Sequence, residues 1–104
     1  MMRLAIAALL LSSTLPAMAD DLVEYGRRIA ETNCSRCHAV GSTGESHHPE
    51  APPFRDLSKR YPIDALEEAF AEGIVVAHSD MPEFRPTDEQ GRALLAYMAA
   101  IQSK

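Results

Sequence analysis

The only two cysteines of this chain, Cys34 and Cys37, stand two residues apart in the stretch CSRCH, and His38 follows the second directly. No other feature restricts the fold as much. A bridge across so short a loop removes little entropy from the unfolded chain, and no further cysteine exists to staple distant segments. A small chain with this pattern must draw its stability from its core or from something the motif holds.

The N-terminus bounds the size of that core. MMRLAIAALLLSSTLPAMA carries Arg3, an apolar run from Leu4 to Leu11, and Ala17, Met18 and Ala19 just before Asp20, which is the layout of a secretory signal cleaved after Ala19. The apolar stretch is shorter than the roughly 20 residues of a spanning helix. Residues 1–19 are therefore expected to be a signal peptide and residues 20–104 one exported domain with no membrane span. A domain that small is near the size at which an apolar core barely suffices and a staple or cofactor is needed. The formal charge is −5, and loss of Arg3 makes it more negative. Nucleic acid, which is bound through clustered Lys and Arg, is not an expected partner.

Hydrophobic spacing gives an all-α chain. Leu22, Tyr25, Gly26, Ile29 and Ala30 recur at helical intervals between Asp21 and Asn33. From Ala39 to Pro53 the period disappears into glycine, serine, histidine and proline, a loop long enough to wrap something. A short helical turn is expected over Phe54–Lys59. A further helix is expected from Asp64 to Glu72, with Pro62 before it and Gly73 as its stop. Ile74 to Ala77 reads as a short strand or a buried loop. Thr87 and Gln90 form a capping box, after which Gly91, Leu94, Leu95, Met98 and Ile101 mark a terminal helix.

Four chemistries can use Cys34, Cys37 and His38. A disulfide would be a poor staple here, and a thioredoxin-type dithiol belongs after a strand in a βαβ unit that this chain lacks. Zinc needs four ligands, and the fourth would have to come from His47, His48 or His78. Covalent haem attachment is the reading for which Cys-x-x-Cys-His is the recognised signal. Two thiols in one turn can each add to a porphyrin vinyl group, and the next residue lifts an imidazole toward the iron.

A second axial ligand is then required. Met81, in an irregular segment and followed by Pro82, is the candidate, whereas Met98 lies on the apolar face of the terminal helix and reads as core. His47 and His48 read as loop histidines, and His78 is a neighbour of Met81 or an alternative ligand.

These residues together resemble a class I cytochrome c of the small bacterial mono-haem kind, over the whole mature chain. Gly26, eight residues before Cys34, matches the family glycine at which the first helix crosses the last, and Leu94 and Tyr97 resemble its partners. Where the family often has an aromatic residue four before the first cysteine, this chain has Ala30. The resemblance implies a fold of three to four helices around one haem c, held through Cys34 and Cys37 with His38 and Met81 on the iron. It also implies a proline carbonyl, from Pro52 or Pro53, that accepts the His38 N–H. Arg55, Lys59, Arg60 and Tyr61 either pair with haem propionates or form a solvated basic turn. With both axial positions filled, the implied role is electron transfer in the periplasm and not catalysis. The implied partners are periplasmic redox proteins acting as donor and acceptor, met either by a free monomer or by a subunit of a hetero-complex.

Overall fold

The computed structural model describes residue 5 and residues 8–11, 18–73 and 80–103. Helix α1 (Met18–Asn33) begins three residues before the expected start, and Asp20 and Asp21 place negative charge in its first turn. That charge complements the positive end of the helix dipole. Arg27 pairs with Glu24 one turn back and with Glu31 one turn on, which braces the solvent face. The helix ends where the Asn33 side chain donates to the Ile29 carbonyl at 2.9 Å.

The expected helix over Asp64–Glu72 is divided into two pieces. A 3-10 turn, Ile63–Ala65, leads into α2 (Leu66–Glu72), and neither start has a side-chain cap. Pro62, at φ −59°, sets the entry angle. The tight turn lets the chain pass into α-geometry without a capping oxygen. Gly73 ends α2 with φ 85°, in the region that favours glycine. Helix α3 (Asp88–Ala100) opens with both arms of the capping box: Gln90 N donates to Thr87 Oγ1 at 3.2 Å and Thr87 N to Gln90 Oε1 at 2.9 Å. The 3-10 turn Phe54–Lys59 forms directly after Pro53.

The buried core consists of Ile29 and Ala30 from α1, Phe54 and Leu57 from the 3-10 turn, Phe70 from α2, and Ala93, Leu94, Tyr97 and Met98 from α3. Helices α1 and α3 form the main packing. At their crossing, a Cβ on Gly26 would overlap the Ala93 carbonyl and fall 2.8 Å from Tyr97 Cβ. Backbone therefore meets backbone, and Ala93 is the partner of Gly26 together with Tyr97, while Leu94 fills the core. Ala30 is wholly buried, so the position often taken by an aromatic ring is here a small residue in the core. The all-α fold read from the sequence is the fold observed. The segment Ile74 to Ala77 and His78 lie outside the described residues.

Candidate functional site

Helix α1 runs straight into the cysteine turn. Cys34 N donates to Ala30 O at 2.9 Å, Cys37 N to Cys34 O at 3.2 Å, and His38 N to Cys34 O at 2.9 Å. One turn of helical hydrogen bonding therefore gathers Cys34, Cys37 and His38. Because α1 is clamped on α3 at Gly26, the turn has a fixed base.

Both cysteines are free thiols and half-buried. Burial pushes the Cys34 thiol up to about 11. Ionising the thiol in that setting costs free energy. A neutral thioether has no such conflict with an apolar setting.

His38 is oriented by the loop. Its Nδ1 lies 2.8 Å from the Pro52 carbonyl, so Pro52 and not Pro53 is the acceptor. A carbonyl can only accept, so Nδ1 carries the proton and Nε2 keeps its lone pair free to bind a metal. The Phe54 ring packs beside the imidazole at 5.1 Å between centroids. Further bonds fix the loop: Phe54 N to Ala39 O at 2.9 Å, Ala39 N to Ser46 Oγ at 3.0 Å, and Tyr97 Oη to Val40 O at 2.5 Å.

Arg55 follows Phe54 on a turn clamped by the end of α3. Gln102 Nε2 donates to Phe54 O at 2.6 Å, its Oε1 accepts from Ser58 N at 2.7 Å, and Ser103 N donates to Arg55 O at 2.7 Å. Nη1 of Arg55 is buried, and no hydrogen-bond partner reaches it among the described residues. A buried guanidinium nitrogen without an acceptor is costly. A carboxylate brought by a bound group would satisfy it. Lys59 instead pairs with Asp56 in its own turn at 3.2 Å, and Tyr61 is exposed. The residues present thus fit haem: two thiols in one turn, a free imidazole Nε2, and an orphaned donor for a propionate.

Met81 is partly exposed, and Asp80 beside it accepts from His48 Nε2 at 3.2 Å. His48 in turn donates its backbone N–H to Cys37 O at 3.1 Å, so Asp80, the residue before Met81, is tied to the cysteine turn through His48. Met98 is buried in the core, and His47 is exposed. Among the described residues, ligand atoms of His48, Glu50 and Asp80 lie within 4.8 Å of one another, whereas Cys34, Cys37 and His38 join no such group. The roles of Gln102, Ala93 and His48 were not evident in the sequence, where each reads as an ordinary surface or filler residue.

Residues 21–98 match the family model described as "Cytochrome C oxidase, cbb3-type, subunit III". No curated protein and no solved structure matches the chain. The family match runs from α1 through the cysteine turn, Pro52, Arg55 and Met81 to α3, and with it the chain belongs to this family of c-type cytochrome domains, which bind covalently attached haem c and serve electron transfer.

Proposed function

We propose that residues 20–104 form a periplasmic mono-haem electron carrier, with thioether bonds from Cys34 and Cys37 to haem c and with His38 and Met81 as axial ligands of the iron. The observation that carries this reading is the 2.8 Å hydrogen bond from His38 Nδ1 to Pro52, which leaves Nε2 as a donor of fixed direction. When bound, haem c supplies a ferric/ferrous couple that accepts and returns one electron.

The chain's own residues account for the rest. Pro52 holds the imidazole and makes its free nitrogen more electron-rich. Met81 offers a soft thioether, which favours the ferrous state and raises the potential. Phe54, Leu57, Leu94 and Met98 keep water from the interior, and the buried Nη1 of Arg55 would balance the charge of a propionate. With both axial positions taken, none remains for a substrate.

The export reading is supported by the leader itself. Leu9, Leu10 and Leu11 are 83%, 92% and 86% exposed. No described helix is long and apolar enough to cross a membrane. Cleavage after Ala19 would start α1 at Asp20 and Asp21, a favourable helix N-terminus.

The test is a visible spectrum of the exported protein, with its mass. A mass increase of one haem, loss of residues 1–19, a covalent c-type spectrum and a ferric sulfur-to-iron charge-transfer band are expected. Absence of that band would overturn the Met81 assignment. The description of the matched family favours a second reading, a haem-bearing subunit of a larger periplasmic oxidoreductase. Stable co-purification with a second chain would select it over the free carrier.

A further inference from the structure

His48 lies in the long loop after the cysteine turn and makes contacts on four sides. Its N–H donates to Cys37 O at 3.1 Å, and its carbonyl accepts from Ala51 N at 3.1 Å. Nδ1 accepts the backbone N–H of Glu50 at 3.1 Å. Nε2 reaches Asp80 Oδ2 at 3.2 Å, from a ring 29% exposed to a carboxylate 66% exposed. Thirty-two residues separate His48 from Asp80 in the chain.

The donors and acceptors fix what the ring can do. A backbone N–H only donates, so Nδ1 carries no proton and the neutral ring holds its one proton on Nε2, directed at Asp80. The same side chains, with Glu50, bring ligand atoms within 4.8 Å, as a cation site would. A cation on Nε2 would force that proton onto Nδ1, against the Glu50 N–H. The arrangement fits a hydrogen-bonded bridge better than a cation site.

We propose that His48 is a positioning residue: by joining Cys37 O to the Asp80 carboxylate, it ties the residue before Met81 to the haem-attachment turn and slows departure of the Met81 thioether from the iron. This rests on the reading of Met81 as an axial ligand. An exposed hydrogen-bonded pair of this kind shifts an equilibrium by about two- to fivefold, which sets the size of the effect.

The experiment uses the exported holoprotein and its His48→Ala, His48→Gln, Asp80→Ala and Met81→Ala variants. It measures the ferric charge-transfer band and the rate at which carbon monoxide binds the reduced protein. His48→Ala and Asp80→Ala should keep the band and bind carbon monoxide about two to five times faster than wild type. His48→Gln, whose amide N–H can replace the Nε2 proton, should return toward the wild-type rate. A variant carrying both His48→Ala and Asp80→Ala should be no faster than the faster single one, because both remove the same bridge. If Met81→Ala loses the band while His48→Ala and Asp80→Ala bind at the wild-type rate, the bridge has no such role and the ligation stands. If Met81→Ala keeps the band, the ligation reading fails and the proposal with it. Should His48→Ala fail to retain haem, Asp80→Ala, altered only at an exposed side chain, still decides.

Discussion

Gly26 and Ala93 meet backbone to backbone: a Cβ on Gly26 would overlap the Ala93 carbonyl. This contact sets how close α1 approaches α3, and the cysteine turn is the direct continuation of α1. Gly26→Ala should therefore cost about 3 kcal/mol or more, because neither helix backbone can yield without moving the core. Thermal unfolding of the holoprotein checks this, and a melting temperature like the wild type's would contradict the crossing.

Arg55 carries a buried nitrogen with no partner among the described residues. In the haem-free chain Arg55→Leu should be neutral or stabilising, since it removes a buried unsatisfied donor. In the holoprotein it should lower the midpoint potential by roughly tens of millivolts, because loss of a positive charge near the iron favours the ferric state. Redox titration beside denaturation of both forms separates the two effects. An unchanged potential would remove Arg55 from the haem site.

Burial, and after it the nearby Glu31 carboxylate, raises the pKa of Tyr97 above the ordinary tyrosine value. The folded state therefore holds its phenolic proton to higher pH than the unfolded chain. This contribution to stability is complete below the unfolded pKa and is lost as pH rises through the raised folded value. Tyr97→Phe should flatten that alkaline loss, and it should cost about 1 kcal/mol at neutral pH for the missing bond to Val40. Denaturant midpoints measured across the alkaline range give both.

If Cys34, Cys37 and His38 hold the haem as proposed, Met81→Ala should leave it attached, while water or an imidazole takes the position left by the thioether. The midpoint potential should fall by about a hundred millivolts or more as the soft donor is lost. A variant with the wild-type potential and charge-transfer band would transfer the ligand role to Met98.

Asp64, Glu67, Glu68 and Glu72 are all exposed along α2 and the turn before it. Arg27, by contrast, is already paired with Glu24 and Glu31. Association with a basic redox partner should thus slow as salt rises, and charge reversal at Glu67 and Glu68 should slow it further. Stopped-flow rates independent of salt would contradict steering.

Local chemistry alone determined a large part of this protein. Helical spacing located α1 and α3, Thr87 and Gln90 located a cap, Gly73 located a stop, and CSRCH marked the turn that gathers Cys34, Cys37 and His38. Each of these signals acts within a few residues, so the chain carries it without reference to the rest of the fold. Tertiary structure decided the matters that depend on distant partners. It selected Pro52 over Pro53 as the His38 acceptor and left Arg55 with a buried nitrogen unpartnered among the described residues while Lys59 paired locally. It set Ala93 against Gly26, and it joined His48 to Asp80 and Tyr97 to Val40 across 32 and 57 residues. Such contacts form only when the packing of α1 on α3 brings the loop and the chain around Met81 together, and no spacing along the sequence encodes which atoms then lie within hydrogen-bonding reach.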